Sequence, residues 1–389
     1  MNPLVHGVGT SFFGKQPDTP VTELAWQAIG EALQDAAHPS APTRSTSFDA
    51  VYVGSVFGAP GVSQRALHAL GISGPPVITI ENACASGTSA FHEAVAAVSS
   101  GRYEHVLVVG MEQMSTQFTG PILPEDTDAE GRSGLAMPAL YAMAAHRWLH
   151  EGRVTLEQMA AVSVKNHAHA THNARAQYSG DYDVKQVLAS KMISDPLTLL
   201  QCSPISDGAA AVVVGVDRGV AADVRVRASV QQTGGLWDHR STEVWGYRLV
   251  RDTAQALFEA TDVDPTDIDV AEMHDAFTIG ELVTTEALGL AKPGEAGAAA
   301  AAGKSALNGD QPINPSGGLL SRGHPLGATG VAQVAEIVWQ LRGQAGARQV
   351  EGARLGLVET MGGGVAGTDG NACVLALLES QLTTKRGNS

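Results

Sequence analysis

The sequence predicts an α/β protein built from two similar halves. Apolar runs that suit buried strands alternate with segments in which apolar residues recur at helical spacing. This alternation is typical of parallel sheets covered by helices. The same succession of helix, strand, glycine-rich turn, helix and strand then occurs a second time. We therefore predict an N-terminal half over residues 1–220 and a C-terminal half over residues 221–389.

The elements of the first half follow from hydrophobic spacing. A helix is predicted from Val21 to Ala37, followed by a strand over 48–56 and an apolar stretch over 75–80. The segment ENACASGTSA opens a second helix through Val98, and a buried strand over 105–114 closes the series. Residues 115–200 have a different character, with acidic loop residues, a helix from Leu135 to His150 and a histidine-rich stretch. We interpret this region as an inserted loop region that roofs a site.

The second half repeats the order of the first. The predicted elements are a helix over 247–260, a strand running into a loop over 267–277, a helix over 331–343 and strands over 353–364 and from Thr368 onward. A glycine-rich turn at 315–330 precedes the helix at 331–343, as the turn at Cys84 precedes the second helix of the first half. The Ala-rich segment 294–310 is predicted to be a flexible surface loop.

Composition excludes several classes of protein. The 389 residues suffice for two ordinary domains, and 44% apolar with 17% charged residues describe a globular chain. A net charge of −15 argues against a nucleic-acid or anionic-membrane surface. The sequence has no apolar run long enough to span a bilayer, and its first residues do not resemble a signal peptide. Its last residues are not the peroxisomal tripeptide, so we expect a cytoplasmic protein.

Cys84 is the candidate nucleophile. Cys84, Cys202 and Cys373 are too widely spaced for a disulfide framework or a zinc site. Cys84 lies between a predicted strand and the start of a helix, where backbone N–H groups and the helix dipole are expected to lower its pKa. A thiolate there could attack an acyl thioester and carry the acyl group. The alternative is that Cys84 is a small buried apolar residue, which is the simplest interpretation of Cys202 and Cys373.

Two histidines could work with Cys84. The stretch 315–330 places five glycines and two prolines around His324, which suits a tight turn that delivers one side chain to one point. Since this turn matches the position of Cys84 in the other half, facing halves would bring the two together. His274 lies where a strand emerges into a loop, the usual place for ligand contacts in α/β sheets. A histidine hydrogen-bonded to the neighbouring Asp275 is the alternative.

These segments together resemble the thiolase superfamily. The resemblance is carried by Cys84 in its small-residue turn, H-D-A-F at 274–277, N-P-S-G-G at 314–318, G-H-P-L-G-A-T-G at 323–330 and M-G-G-G at 361–364. Their order and spacing match over almost the whole chain. The stretch 314–343 is especially similar to the thiolase domain of sterol carrier protein X and its bacterial and archaeal lipid-transfer-type relatives.

The resemblance implies a fold, an activity and roles for residues. The fold would be a duplicated five-layered αβαβα arrangement in a homodimer or tetramer, with acyl-CoA thioesters as substrates. Cys84 would carry the acyl group, while His324 activates Cys84 and contributes to an oxyanion hole. His274 would be a second oxyanion-hole element or an acid/base. The backbone N–H groups of Cys84 and of Gly363 or Gly364 would hold the other oxyanion. The family's aspartate-glycine pair, here Asp207-Gly208, begins a buried strand.

The chain departs from the family at the acid/base cysteine. Ordinary thiolases have this cysteine before the final glycines, where this chain has Thr360, and the sterol-carrier type has it inside H-D-C-F, where this chain has Ala276. Threonine is too weak an acid to replace a thiol. Three consequences stay open: His274 serves as the base, the protein transfers acyl groups without deprotonating an α-carbon, or it has moved to a reaction such as retro-aldol cleavage.

Other patterns carry less weight. The G-x-G-x-x-G at 362–367 lacks the following helix of a dinucleotide site. His167, His169 and His172 have no acidic or cysteine partner at ligand spacing, so a solvated or roof-lining segment is expected. Residues 262–269 lack the central glycine and closing glutamate of a calcium loop.

The sequence therefore predicts a thiolase-like acyl-CoA acyltransferase that forms an acyl-enzyme on Cys84. Its reaction would be Claisen condensation or thiolytic cleavage of a 3-oxoacyl-CoA. It needs no metal or redox cofactor, and coenzyme A is substrate or product. The alternatives are a retro-aldolase and a catalytically weak subunit in complex with a small OB-fold partner.

Overall fold

The computed structural model describes residues 2–38, 47–123, 129–238, 240–363 and 367–382. Its strands are β1 (Leu4–Thr10), β2 (Ala50–Gly54), β3 (Val77–Ile80), β4 (His105–Gln113), β5 (Met192–Ser194), β6 (Leu197–Thr198), β7 (Asp207–Gly215), β8 (Val224–Gln232), β9 (Val270–Glu272), β10 (Leu355–Gly362) and β11 (Ala372–Ser380). Its helices are α1 (Val21–Ala36), α2 (Val62–His68), α3 (Ser86–Ser99), α4 (Ala129–Arg132), α5 (Met137–His150), α6 (Leu156–Ala170), α7 (Val184–Ala189), α8 (Tyr247–Thr261), α9 (Thr278–Ala287), α10 (Ala296–Ala301), α11 (Gly318–Arg322) and α12 (Leu326–Leu341).

The sheet carries the predicted duplication. Within the described residues, nine strands follow the order β3-β2-β4-β7-β1-β8-β11-β10-β9. Strands β8, β9, β10 and β11 repeat the order of β1, β2, β4 and β7, and a bridge from Ile313 to Ala271 stands where β3 stands in the first half. Among the described strands, pairing between the two groups occurs at β1 and β8, where Leu4 pairs with Arg225 and Val5 with Val224. Since β7 ends at Gly215 and β8 begins at Val224, the groups divide close to residue 220, although the domain boundary itself stays a prediction.

Side-chain alternation along the strands builds the layers. On β4, Val106 and Val108 face one apolar cluster, whereas Leu107 and Val109 face another on the opposite side. The cluster of Leu107 also contains α1 and α2, while α8 and α9 cover the outer face of the second group of strands. Helices α3 and α12 lie between the two groups and pack on both. The result is a five-layered αβαβα arrangement, which confirms the predicted fold class.

The central layer brings the two glycine-rich turns face to face. A Cβ atom on Gly87 or Gly110 would lie 2.5 or 2.4 Å from the carbonyl oxygen of Gly327. Only glycine allows the start of α3 and the strand β4 to approach the first turn of α12 this closely. The close approach sets the distance between the turn that carries Cys84 and the turn that carries His324.

The structure corrects several predicted elements. Helix α12 begins at Leu326 rather than 331, because Pro325 caps it and Gly327 and Gly330 pack inside the central layer. The predicted surface loop at 294–310 is wrong over α10, whose Ala296 and Ala300 are buried against an apolar cluster. The described part of the 115–200 region contains α4, α6 and α7 besides the predicted helix at 135–150, which begins at Met137. The prediction also lacked β1 and β8, although both pair in the main sheet. Of the helices in the described ranges, none is both long and apolar enough to cross a membrane.

Candidate active site

Three side chains from both halves meet in the centre of the molecule. The Sγ atom of Cys84 and one ring nitrogen each of His274 and His324 lie within 4.8 Å of one another. The centroids of the two imidazole rings are 5.2 Å apart, and the rings are nearly perpendicular, with an interplanar angle of 78°. Both histidines are buried and Cys84 is half-buried. The structure thus assembles the three side chains that the sequence selected.

The turn before α3 holds Cys84 in a fixed conformation. Ala83 has a φ of +49°, which a side-chain-bearing residue rarely adopts and which often marks a functional site. Ser86 stabilises the turn, because its hydroxyl donates to the carbonyl of Ala83 at 2.6 Å and accepts the N–H of Asn82 at 2.9 Å. A second bond runs from the Asn82 side chain to Ser89. Cys84 is therefore presented at the helix start, two residues before α3 begins.

The expectation of a lowered pKa at Cys84 is wrong. Burial raises the pKa of the thiol to about 12, and the nearby carboxylates of Glu81 and Glu112 act in the same direction. The backbone N–H groups of Gly363 and of Cys84 itself lie close enough to lower it, but they do not outweigh desolvation. Cys84 is consequently a neutral thiol at physiological pH and needs a base when it attacks.

His324 has the tautomer that such a base requires. The Thr329 hydroxyl donates to the carbonyl of Pro325 at 3.0 Å, so its oxygen accepts the hydrogen bond from Nδ1 of His324 at 2.8 Å. On this basis we assign the proton of His324 to Nδ1, which leaves the lone pair on Nε2. Nε2 is buried without a hydrogen-bond partner among the described residues. Burial and the neighbouring His274 and Arg322 hold the pKa of His324 well below its usual value, so the ring is neutral.

Polar residues of the first half position the His324 turn. The Ser206 hydroxyl accepts the backbone N–H of His324 at 3.0 Å. One carboxylate oxygen of Glu112, at the end of β4, accepts the N–H groups of Val56 and Gly327. Burial raises the pKa of Glu112 to about 7, and the hydrogen bonds from the N–H groups of Val56, Phe57 and Gly327 oppose the rise. The sequence analysis missed Ser206 and Glu112, for which the only signal was a polar residue shortly before an apolar run or at its end.

His274 is fixed by its backbone. Its N–H donates to the buried carboxyl of Glu359 at 2.8 Å. Its Nδ1 atom is buried and has no hydrogen-bond partner within the described residues, and desolvation lowers its pKa to about 3. The alternative of a His274–Asp275 pair is wrong, because Asp275 accepts the N–H of Leu319 and the side-chain amide of Asn166 instead.

The N-P-S-G-G segment shapes the loop that carries His274. The side-chain oxygen of Asn314 accepts the N–H of Met273 at 2.9 Å, and Asn314 itself has a φ of +55°. Gly318 has a φ of +62°, and a Cβ on it would lie 2.1 Å from the carboxylate of Asp275. This motif thus acts on His274 through its neighbours rather than by contact.

The two family positions for a second cysteine have no acid/base role here. The Thr360 hydroxyl donates to the side-chain oxygen of Gln333 at 2.7 Å and is fully buried. Ala276 packs with Phe277 in an apolar cluster. No thiol therefore stands at either position. Of the predicted oxyanion glycines, Gly363 lies beside the sulfur of Cys84, whereas Gly364 falls outside the described residues.

The remaining candidates lie elsewhere. His167 and His169 are buried in α6, which contradicts the solvated alternative for them and leaves the roof-lining alternative as a prediction, while His172 is exposed. Cys373 is buried and Cys202 half-buried, with its thiol donating to the carbonyl of Thr198. Within the described residues, Cys84, His274 and His324 are the only group of three His, Cys, Asp or Glu side chains close enough to hold a metal ion. Nitrogen and sulfur ligands of this kind suit zinc.

Comparisons with known proteins agree with the fold and the motifs. Residues 6–217 match the family described as "Thiolase, N-terminal domain", and residues 235–375 match "Thiolase C-terminal domain-like". The chain is 40% identical to an acetyl-CoA acetyltransferase of Methanothermobacter thermautotrophicus, over 95% of this chain and 97% of that protein. It is 36% identical to human sterol carrier protein 2, over 93% of this chain and 70% of that protein. It is 35% identical to the benzoylsuccinyl-CoA thiolase subunit BbsB of Thauera aromatica, over 92% and 94%.

Solved structures show the same fold at lower identity. The Ltp2–ChsH2(DUF35) aldolase superposes with a TM-score of 0.81 at 24% identity, over 98% of both chains. Human mitochondrial 3-ketoacyl-CoA thiolase superposes with a TM-score of 0.71 at 17% identity, over 98% of this chain and 99% of that chain.

Proposed function

The chain belongs to the thiolase family of acyltransferases, and we propose that it transfers acyl groups between CoA thioesters through an acyl-enzyme on Cys84. The observation that carries the proposal is that the Sγ atom of the neutral Cys84 thiol lies within 4.8 Å of a ring nitrogen of neutral His324, whose Nε2 has no hydrogen-bond partner among the described residues. A thiol with a pKa of about 12 is inert by itself, and a positioned base makes it a nucleophile. Cytoplasmic location is part of the same proposal.

The first half-reaction uses Cys84 and His324. Sγ attacks the thioester or 3-oxo carbonyl carbon while Nε2 of His324 takes the thiol proton. We assign the backbone N–H groups of Cys84 and Gly363, which lie close to the sulfur, to donating to the oxyanion that forms. When the tetrahedral intermediate collapses, the proton on His324 passes to the leaving group. For a 3-oxoacyl-CoA the bond between C2 and C3 breaks, and the proton is delivered to C2 of the departing acetyl-CoA.

The second half-reaction runs through the same histidine with a new proton, which the thiol of CoA supplies. Free CoA gives its thiol proton to His324, attacks the acyl-enzyme and releases acyl-CoA, and Cys84 recovers the proton. This cycle balances without a second cysteine. Desolvation lowers the pKa of His274 to about 3, so its ring is neutral near pH 7 and keeps one N–H to donate. We therefore assign His274 to holding the enolate oxygen of the departing acetyl-CoA, rather than to abstracting a proton. In the condensation direction, His324 removes the α-proton.

The reaction as written needs no redox cofactor and no metal ion. Electrons move only between carbonyl carbon, sulfur and oxygen, and CoA is consumed or released as a substrate. The thiol and imidazole atoms that could ligate a metal are the ones the acyl transfer uses.

Intact-mass spectrometry after incubation with acetyl-CoA, followed by peptide mapping, tests the proposal. We expect an acetyl adduct on the Cys84 peptide, lost in Cys84→Ala and retained in Cys202→Ala. Cys202 is a matched control, because burial also raises its pKa to about 12 but its thiol donates to the carbonyl of Thr198. Equal adduct levels in both variants would rule out Cys84 as the acyl carrier.

A second candidate is retro-aldol cleavage within a complex. One structural neighbour is named an aldolase of Ltp2 with ChsH2(DUF35), and neither family cysteine position carries a thiol here. On this alternative, a 3-hydroxyacyl-CoA would be cleaved to a carbonyl compound without consuming CoA, and a small OB-fold partner would be needed. Carbonyl release in the absence of free CoA, dependent on a co-purifying partner, would favour it over thiolysis.

We also propose that the protein is a homodimer or tetramer. Strand β3 lies at one edge of the sheet, pairs only with β2 among the described residues, and is half-buried to exposed along Val77–Ile80. An unpaired, partly apolar edge is a ready site for pairing with a second copy. Light scattering that gives the mass of a monomer at micromolar concentration would contradict this.

A further inference from the structure

The wall beside the nucleophile is unusually rich in aromatic side chains. Only 5% of the chain is aromatic. Even so, Tyr141, Trp245 and Phe277 come together from α5, the segment before α8 and the His274 loop. The ring centroids of Tyr141 and Phe277 are 4.6 Å apart, and those of Tyr141 and Trp245 are 5.7 Å apart at 79°. These are the offset and edge-to-face arrangements that aromatic groups prefer.

Gly363 links this wall to the reacting sulfur. Its N–H lies at Sγ of Cys84. A Cβ on Gly363 would lie 3.0 Å from Cη2 of Trp245 and 3.3 Å from Sδ of Met137. The indole and the thioether therefore border the same glycine that faces the nucleophile. Phe277 joins the wall through its contact with Tyr141, and it lies one residue after Ala276 and three after His274.

The four side chains differ in exposure, and this difference indicates a binding surface. Trp245 and Phe277 are 8% and 6% exposed, and Trp245 is anchored by its indole N–H to the carbonyl of Thr368. Tyr141 and Met137, which pack on them, are half-buried. Desolvation raises the pKa of the Tyr141 phenol, and Cys84 acts in the same direction. Trp245 and Phe277 thus form a fixed support, on which Tyr141 presents its ring and Met137 its thioether toward the acyl position.

We propose that this wall, formed by Met137, Tyr141, Trp245 and Phe277, selects ring-containing acyl groups over linear ones of equal carbon number. The inference rests on the proposed function, since the acyl group must be attached to Cys84. A flat ring gains stacking on Tyr141 and sulfur contact with Met137 beyond its buried area, whereas a linear chain gains burial alone. Ala276, where the family has a cysteine, adds only a methyl group at this side.

Rates of acyl-adduct formation with three donors test the inference: acetyl-CoA, phenylacetyl-CoA and octanoyl-CoA. We expect phenylacetyl-CoA to exceed octanoyl-CoA by about 10-fold in acylation efficiency, from the advantage of ring stacking. Tyr141→Leu should remove most of this ratio and Tyr141→Phe should keep it, because the second variant retains the ring. Phe12→Leu changes an exposed phenylalanine outside the wall and should leave the ratio as it is.

The possible results separate the two proposals. No adduct from any donor would overturn the acyl-enzyme and this inference with it. Acetyl and octanoyl adducts with no advantage for phenylacetyl-CoA would overturn only the ring preference. Calorimetric binding of both long donors to Cys84→Ala gives a readout that needs no chemistry, and equal affinities there would also count against the wall. Thermal unfolding of each variant shows whether a lost ratio reflects binding or misfolding.

Discussion

At the scale of single residues, the site depends on two groups that are both neutral. Burial raises the pKa of the Cys84 thiol to about 12 and lowers that of His324 well below its usual value. Desolvation disfavours charge on either partner, so the resting pair is thiol and imidazole rather than thiolate and imidazolium. Thr329 completes the arrangement by fixing which nitrogen of His324 is free.

Thr329→Val should lower the rate of Cys84 acylation by about 10²-fold, the lower end of what a positioned general base contributes. Without the hydroxyl oxygen, nothing holds the proton on Nδ1, and the other tautomer becomes populated. Thr329→Ser keeps the oxygen and should keep most of the rate. Stopped-flow acylation with acetyl-CoA measures both. A purely structural Thr329 would reduce stability in the valine variant but leave the acylation rate per folded molecule unchanged.

The two pKa shifts predict different pH profiles for two reactions of the same sulfur. Alkylation by iodoacetamide uses the thiolate, so its rate on Cys84 should be slow at pH 7 and rise about tenfold per pH unit until close to pH 12. Acylation uses neutral His324, whose pKa is lowered, so it should show no loss on going down through pH 6.5. An alkylation rate that levels off near pH 8 would show an ordinary thiol pKa.

At the scale of elements, glycines and buried polar side chains determine where the two histidines lie. The 314–318 segment holds the His274 loop through Asn314 and the Gly318–Asp275 contact. The first turn of α12 is held against β4 by Glu112 and by glycines with no room for a Cβ. Motifs that are recognisable in the sequence therefore act partly through packing: they position the loops that carry His274 and His324.

Gly318→Ala should destabilise the fold by more than the about 1–2 kcal/mol that a left-handed backbone costs an L-residue. The added Cβ would also lie 2.1 Å from the Asp275 carboxylate and displace the segment next to His274. Gly343→Ala is the matched control, because Gly343 has a φ of +70° but open space around it. Urea unfolding of both variants measures the difference. Equal losses of unfolding free energy in the two variants would show that the contact with Asp275 does not add to the destabilisation.

At the scale of the whole molecule, the halves share one core. Helix α12 of the second half packs on β4 and β7 of the first, and α3 packs on β8 and β11. The apolar cluster of the central layer contains side chains of both groups of strands. The duplicated architecture therefore does not make two independent units, and the catalytic pair exists only at their junction.

We expect the chain to unfold in one cooperative step. Separating the halves would expose the central layer of both, so neither half has a complete core of its own. Urea transitions followed by tryptophan fluorescence and by far-UV circular dichroism should coincide. Two separate transitions would show that the halves unfold independently despite their common layer.

Sequence alone determined the α/β class, the duplication and the three reactive side chains, because local spacing and ordered motifs encode them. Cys84 and His324 could be paired in advance since each lies in a turn before a helix, at the equivalent place in its own half. The expected pKa of Cys84 was wrong. A helix start predicts a lowered pKa through the helix dipole, but the burial that raises the pKa depends on residues far along the chain. Only the tertiary structure decided that pKa, the tautomer of His324, the positioning by Ser206 and Glu112, and the aromatic wall at Gly363. Each of these depends on distances between segments that no local pattern specifies.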